Sequence, residues 1–314
     1  MSKFTINGTV IPKGTNEHIK IDVGRLPSGT KINLHLHIFR AKKKGPTMLV
    51  MGGVHGDEIN GVEIVRQACV QNYFEKLDAG SVIAIPLLNI YGFINFSRDT
   101  PDGKDVNRSF PGTTTGSLSS KVARTITKKI LPLVDFGVDF HTGGASRYNY
   151  PQIRFTKGDA ASLELANAFG APYQIEGTPP SKSLRKVAVA AGKPIIVYEG
   201  GESLRFDGYS IQKGLEGLQR VMHFKGLKKT KLPATQSINF TKTTWIRATS
   251  AGLFRWFKSS GQYVDEGEKL GVINDPYGHM EYLIVAKKSG YIVGHNNAPV
   301  VSLGDALFHI GYEF

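Results

Sequence analysis

Four continuous apolar runs, separated by helical segments, constrain this chain most. The runs occupy residues 47–51, 81–88, 136–140 and 194–198. Such runs are typical of strands that are buried on both faces of a sheet. Helical periodicity appears at residues 58–73, 119–131, 162–169 and 210–224. Strands that alternate with helices predict an α/β fold, in which helices cover a parallel or mixed sheet. Residues 91–116, rich in Gly, Pro, Asp and Thr, are predicted to form a loop.

The pattern of the chain changes near residue 225. A lysine-rich segment that ends at Pro233 is typical of a linker, and short strand-like segments between glycines follow it. Short strands punctuated by turns favour a small all-β domain. We therefore expect a large α/β domain over residues 1–232 and a small β domain over residues 236–314.

The charge of the chain bears on its partners. The 314 residues carry a formal net charge of +13, but the lysines are scattered in pairs and triplets, and no nucleic-acid-binding motif is present. A solvated basic surface is therefore favoured over a nucleic-acid partner. No run of 18 apolar residues and no signal-peptide core occur. We expect a cytoplasmic protein with no membrane partner, and the sequence leaves a homo-oligomer open.

The most informative motif is GGVHGDE at residues 52–58, which follows an apolar run and opens a helix. His55 and Glu58 are three residues apart and could reach one point. Imidazole and carboxylate are both zinc ligands, and a catalytic zinc typically has three protein ligands. His141 ends another apolar run, and functional groups gather at the carboxyl ends of strands in open α/β sheets. The pattern predicts one zinc ion (Zn2+) per chain, bound by His55, Glu58 and His141.

Further candidate residues follow the other apolar runs. Glu199 comes directly after the run at 194–198 and could act as a general base toward an attacking water. Glu202 is the weaker alternative. The loop at residues 98–112 contains Arg98 and Arg108. An arginine fork can bind a substrate carboxylate through two hydrogen bonds, and a second arginine can stabilise a developing oxyanion.

A histidine pair on another segment needs its own interpretation. Residues 31–38 alternate polar and apolar side chains, which predicts a half-buried strand. His35 and His37 would then lie on the same face of this strand. A metal pair fits this arrangement, but a polar strand face is the favoured interpretation.

Four motifs in a fixed order resemble a known family. They are GGVHGDE, DVNRSFPG, DFHTGG and YEGG, at residues 52–58, 105–112, 139–144 and 198–201. This order resembles the succinylglutamate desuccinylase/aspartoacylase family, within the zinc-carboxypeptidase-like superfamily, over nearly the whole chain. The resemblance implies that His55, Glu58 and His141 bind zinc and that Glu199 is the catalytic carboxylate. It also implies that Asn107 and Arg108 hold a substrate carboxylate and that Arg98 contacts the scissile carbonyl.

The resemblance extends to the C-terminal part, which is similar to the barrel-sandwich hybrid of biotinyl and lipoyl carriers. Such carriers need a lysine at a hairpin tip, and the corresponding residues 274–280 contain none. A structural or substrate-shaping role is therefore expected for this part.

The function expected from all these features is zinc-dependent hydrolysis of the amide bond of an N-acyl amino acid or a similar small anionic substrate. Two alternatives stay open. One is a metallocarboxypeptidase that removes a C-terminal peptide residue, and the other is a non-catalytic basic binding protein.

Overall fold

The computed structural model describes residues 4–312. The strands, numbered in chain order, are β1 Thr5–Ile6, β2 Thr9–Val10, β3 Asn16–Arg25, β4 Lys31–Arg40, β5 Thr47–Gly52, β6 Ser81–Ile85, β7 Phe136–Gly143, β8 Arg147–Thr156, β9 Tyr173–Gly177, β10 Ile195–Glu202, β11 Ile238–Phe240, β12 Lys242–Arg247, β13 Gly252–Trp256, β14 Tyr263–Val264, β15 Lys269–Asn274, β16 Glu281–Val285, β17 Gly290–Asn296, β18 Val300–Val301 and β19 Ala306–Tyr312. The α-helices are α1 Ile59–Val70, α2 Ile90–Ile94, α3 Leu118–Thr125, α4 Ala160–Phe169, α5 Leu184–Ala190 and α6 Gly208–Phe224.

A large mixed sheet organises the molecule. Its strand order is β12-β19-β17-β8-β10-β7-β5-β6-β4-β3. The central strands β10, β7, β5 and β6 are parallel, whereas β8, β4 and β3 join them antiparallel. Every residue of β5, β6 and β7 is buried, because separate hydrophobic clusters cover the two faces of the sheet. The α/β fold expected from the sequence is confirmed.

The predicted elements differ from the observed ones where proline intervenes. The strand expected over residues 81–88 ends at Ile85, directly before Pro86. The helix expected over residues 119–131 ends as α3 at Thr125 and continues as a π-helical turn and a 3-10 turn that contains Pro132. Proline lacks the N–H that a helix or a strand ladder requires. Residues 91–116 are mostly loop, but they also contain most of α2 and the 3-10 turn Val106–Arg108.

The C-terminal part is joined to the large sheet by backbone pairing. β11 pairs parallel with β9, and β17 pairs antiparallel with β8. The remaining C-terminal strands form a four-stranded sheet in the order β16-β15-β13-β18, and a third hydrophobic cluster belongs to this part of the chain. The division into residues 1–232 and 236–314 stays a prediction. The large sheet itself runs without interruption from β10 to the C-terminal strand β19.

The histidines of β4 lie on the outer part of the sheet. His35 is exposed and His37 half-buried. His18 of β3 joins them: its Nε2 lies 3.0 Å from His35 Nδ1, and its ring stacks on that of His37. Burial and the neighbouring His18 lower the pKa of both His35 and His37. None of the three lines the cavity described below.

Within residues 4–312, no helix is long and apolar enough to cross a membrane.

Candidate active site

The carboxyl ends of β5, β7 and β10 meet at one edge of the sheet, where a cavity of about 250 Å³ opens. His55 follows β5, His141 lies within β7 and Glu199 within β10. In the parallel pairing of β7 with β10, Glu199 stands directly opposite His141. All three side chains line the cavity, together with Glu58, Arg98, Asn107 and Arg108. The structure therefore brings the predicted metal ligands, Glu199 and the candidate residues of the loop at 98–112 to one place, whereas Glu202, His35 and His37 lie outside it.

Glycines shape the loop that carries His55. Gly53 has φ +63°, in the left-handed region that side chains with a Cβ disfavour. A Cβ on Gly56 would lie 2.0 Å from the backbone of Gly92, in the middle of α2. These glycines let the chain turn sharply out of β5 while α2 packs against the loop.

Three buried side chains form the centre of the site. His55 Nδ1 lies 2.7 Å from Glu58 Oε1, and His141 Nδ1 lies 2.8 Å from Glu58 Oε2. The two Nδ1 atoms are 3.2 Å apart. Glu58 occupies the N-cap position of α1 but makes no capping hydrogen bond, because both of its carboxylate oxygens face the histidines. This His–Glu–His group could hold a metal ion.

Two aspartates orient the histidine rings. His55 Nε2 donates to Asp105 Oδ1 at 3.2 Å, and His141 Nε2 donates to Asp139 Oδ2 at 3.0 Å. When the rings are neutral, these bonds place the proton on Nε2 and leave Nδ1 as an acceptor that faces the centre of the site. Burial lowers the pKa of His141, but Asp139 and Glu58 outweigh burial and hold it well above its usual value. Burial raises the pKa of Glu58, but the two histidines hold it well below its usual value.

Asp105 belongs to the loop at residues 98–112, called the arginine loop below, and joins this loop to the His–Glu–His group. Its Oδ2 accepts a hydrogen bond from Arg98 Nη2 at 2.9 Å. Arg98 Nη1 donates to His55 Nδ1 at 3.2 Å and to Glu58 Oε1 at 3.3 Å. Asp105 further accepts from the backbone N–H of Asn107 and so caps the 3-10 turn Val106–Arg108. The guanidinium of Arg98 is thereby fixed beside the His–Glu–His group.

Glu199 is held at both carboxylate oxygens. Oε2 accepts a hydrogen bond from Asn149 Nδ2 at 2.9 Å, and Oε1 lies 3.5 Å from Arg154 Nη1. Both partners come from β8, the antiparallel neighbour of β10. Glu202, on the same strand, accepts instead from Asn297 Nδ2 at 2.6 Å and does not line the cavity.

Arg185 of α5 lines the cavity with only 8% of its surface exposed. Its Nη1 has no hydrogen-bond partner within residues 4–312. Burial, together with the charge of Arg154, lowers the pKa of Arg185 to about 10.

Asn107 joins the arginine loop to α5, since its Oδ1 accepts a hydrogen bond from the backbone N–H of Leu184 at 3.0 Å. Arg108, more exposed, donates to the backbone oxygen of Asn107.

Several residues of this site were missed by sequence reasoning. Asp139 could have been found, because it lies two residues before His141 and hence on the same strand face. The others carry no local signal, because they come from strands and helices distant in sequence: Asn149, Arg154, Arg185, Arg147 and Trp245. Trp245 belongs to the C-terminal β12 and stacks on His309, with ring centroids 4.5 Å apart.

Comparisons with known proteins agree with the motifs. Residues 44–225 match the succinylglutamate desuccinylase/aspartoacylase catalytic domain. The chain is 28% identical, over 84% of its length and 81% of the relative's, to the N-alpha-acetyl-L-2,4-diaminobutyric acid deacetylase of Halomonas elongata.

Solved structures resemble the whole fold. The product-bound ectoine utilization protein EutE (DoeB) of Ruegeria pomeroyi has a TM-score of 0.87 at 24% identity, covering 96% of this chain and 97% of that one. The succinylglutamate desuccinylase/aspartoacylase of Rhodobacter sphaeroides has a TM-score of 0.85 at 25% identity, covering 96% of each chain. The matched domain spans the strand ends from which the site is built, and the chain thus belongs to the succinylglutamate desuccinylase/aspartoacylase family.

Proposed function

We propose that the protein is a zinc-dependent hydrolase that cleaves the amide bond of a small N-acyl amino acid, with one Zn2+ per chain bound by His55, Glu58 and His141. One observation carries the proposal. The Nδ1 atoms of two imidazoles, whose Nε2 atoms donate to Asp105 and Asp139, face the carboxylate of Glu58 and one another at 2.7–3.2 Å in a buried site. In neutral rings these Nδ1 atoms are acceptors, and a metal ion among them would stabilise this cluster of nitrogen and carboxylate donors.

The donor set fits zinc. Imidazole nitrogen and carboxylate oxygen are both zinc ligands, and atoms about 2.0–2.1 Å from a tetrahedral zinc lie about 3.3 Å from one another. The second nitrogen of each imidazole donates to a carboxylate, Asp105 or Asp139, as is usual for histidines that bind metals. A zinc ion there would supply a Lewis acid for the scissile carbonyl and would lower the pKa of an attacking water.

Glu199 is proposed as the general base. It stands opposite His141, and Asn149 and Arg154 fix its carboxylate. From this position it takes a proton from the attacking water and delivers it to the leaving amine. Arg98, held beside Glu58 by Asp105, donates to the oxygen of the scissile carbonyl as negative charge develops there.

Arg108, Asn107 and Arg185 are proposed to hold the carboxylate of the amino acid. Asn107 Oδ1 already accepts a hydrogen bond from the backbone N–H of Leu184 in α5. Its Nδ2 can therefore donate to the substrate carboxylate. Arg185 offers a buried guanidinium nitrogen with no partner in the described chain. A buried charge without a counter-ion is costly, and an anionic substrate group would supply that counter-ion.

The size of the cavity supports a small substrate over a peptide. Its volume is about 250 Å³, and Trp245 of the C-terminal part forms one of its walls. The Halomonas relative is named as a deacetylase of an N-acetyl amino acid. Both observations favour deacylation over carboxypeptidase activity.

A hydrolysis screen tests the proposal. The purified, zinc-loaded protein is given a panel of N-acetyl and N-succinyl amino acids and, beside it, a panel of dipeptides. Release of the free amino acid from the N-acyl panel is expected. Hydrolysis confined to the dipeptides would instead identify a carboxypeptidase, and a zinc-loaded protein inactive on both panels would contradict the proposal.

A substrate-side comparison then tests the carboxylate anchor. Replacing the substrate carboxylate by a neutral amide is expected to slow the native enzyme severely and the Arg108→Ala variant little. Equal losses in both enzymes would show that Arg108 is not the anchor.

A gel shift with DNA or RNA at low and high salt tests the non-catalytic alternative, because a nucleic-acid complex weakens steeply with salt.

A further inference from the structure

Glu199, the proposed general base, is held by a residue that contacts the C-terminal part. Asn149 of β8 donates from Nδ2 to Glu199 Oε2 at 2.9 Å, whereas the other carboxylate oxygen lies 3.5 Å from Arg154 Nη1. Asn149 therefore makes the shorter of the two contacts, and only 6% of its surface is exposed. On its other side β8 adjoins β17, a strand of the C-terminal part, in which Gly294 pairs directly with Asn149.

A bulge in β17 brings Gly294 to this position. In the pairing of β17 with β19 the register shifts between Ile292 and Gly294, which makes Val293 the extra residue of the bulge. Bulges of this kind turn the side chains of a strand and are common beside active sites. Gly294 consequently stands opposite His309 on one side and opposite Asn149 on the other.

The glycine at position 294 leaves room for the amide of Asn149. A Cβ built there would lie 2.8 Å from Asn149 Oδ1, 3.0 Å from the backbone oxygen of Tyr148 and 3.8 Å from His309 Cβ. The first of these distances is shorter than van der Waals contact allows. His309 offers little room, because it is buried and its ring stacks on that of Trp245. The amide of Asn149, the end of a side chain, is therefore the group that a methyl at position 294 would displace.

We propose that the C-terminal part positions the general base, because Gly294 keeps open the space from which Asn149 donates to Glu199. The inference rests on the proposed deacylase function, in which Glu199 takes a proton from the attacking water. Gly294 is then a positioning residue, which acts on the reaction only through Asn149 and Glu199. A carboxylate that loses this hydrogen bond is free to turn away from the water, and a displacement of about 1 Å can cost about 10²-fold in rate.

A double-mutant cycle tests the proposal in the zinc-loaded enzyme, with an N-acyl amino acid that the native protein hydrolyses. Gly294→Ala and Asn149→Ala are each expected to lower kcat by about 10- to 100-fold and to leave KM within about threefold and the zinc content unchanged. Combined, the two changes should cost no more than Asn149→Ala alone, because the shorter side chain at position 149 leaves room for the methyl group. A change at Gly294 that merely disturbs the strand would add its cost in both backgrounds.

The matched control is Gly208→Ala at the first residue of α6, outside the cavity, where a Cβ would meet no atom within 4 Å. Its kcat should equal that of the native enzyme. If Gly294→Ala is unstable by itself, the double variant still decides, since it should fold and reach the kcat of Asn149→Ala.

Three results would contradict the positioning role and leave the deacylase function standing. They are a native kcat in Gly294→Ala, losses that multiply in the double variant, and a double variant that stays unfolded although Asn149→Ala folds. If the native enzyme hydrolyses no N-acyl amino acid, the proposed function itself fails, and this inference fails with it.

Discussion

Glu199 and His141 are direct neighbours in the parallel pairing of β10 with β7. One strand therefore presents a proposed metal ligand and the next a carboxylate held by Asn149 and Arg154. This register places the side chain proposed to bind metal, His141, beside the side chain proposed to transfer a proton, Glu199. In the proposed function His55, Glu58 and His141 hold the metal, and Glu199 stays available for proton transfer.

We expect Glu199→Gln to retain zinc and to lose turnover by about 10²- to 10⁴-fold, the usual contribution of a general acid–base group. Glutamine keeps the shape of the side chain but cannot accept the proton. Elemental analysis and steady-state kinetics check the two parts. Glu202→Gln is the matched control, because Glu202 lies on the same strand but is bonded to Asn297 outside the cavity. Loss of zinc from the Glu199 variant would make Glu199 a ligand and contradict the mechanism.

His55→Ala is expected to lose zinc and activity together, since the remaining His141 and Glu58 leave an incomplete ligand set. The control is His35→Ala, which removes an exposed histidine of β4 outside the cavity. Zinc content after dialysis, measured by atomic absorption, should be one equivalent per chain in the native protein and in the control. A full equivalent in His55→Ala would overturn the ligand assignment.

Asp139→Asn should weaken zinc binding by about 10- to 100-fold, the usual effect of removing a carboxylate that orients a ligating histidine. Asp139 accepts a hydrogen bond from His141 Nε2 at 3.0 Å. An asparagine can turn its NH2 group, which is a donor, toward Nε2 in place of the accepting oxygen. Competition with a chelator measures the affinity. Asp159→Asn is the control, because Asp159 precedes α4 without making a side-chain cap. Equal affinities in the two variants would exclude this role for Asp139.

Arg185→Met is expected to stabilise the protein while reducing kcat/KM. The pKa of Arg185 is lowered from its usual 12.5 to about 10 by burial and by Arg154, so the unfolded chain holds this proton more tightly. The charged guanidinium therefore destabilises the folded state at every pH below about 10, by about 3 kcal/mol. The penalty is relieved as the pH rises from 10 toward 12.5, because the folded state then releases the proton first.

Denaturant unfolding of native protein and variant, at several pH values, measures this difference. The gain in stability of Arg185→Met should be constant from pH 7 to 9 and should shrink above pH 10. Saturating amounts of an anionic substrate analogue should raise the stability of the native protein more than that of the variant, because the analogue supplies the missing counter-ion. A variant that is less stable than the native protein at pH 7 would show that Arg185 is compensated in the folded state.

The sequence by itself determined the class of the fold and the centre of the site. β5, β7 and β10 are apolar runs that can be recognised without knowing their partners, and the candidate residues lie at or just after their carboxyl ends. His55 and Glu58 are close in sequence, so their convergence follows from local geometry. His141 and Glu199 followed from the rule that parallel strands end at one edge of the sheet.

Only the tertiary structure decided what surrounds that centre. β8 is not among the strands predicted from the sequence. It is no continuous apolar run, and it contains Pro151, a residue that argues against a strand in the middle of a sheet. Yet β8 supplies Asn149 and Arg154 to Glu199. Its pairing with β17 places Gly294 of the C-terminal part against Asn149. Local periodicity reports whether a residue is buried, whereas strand order and register decide which buried residues meet, and these depend on contacts between segments far apart in the chain.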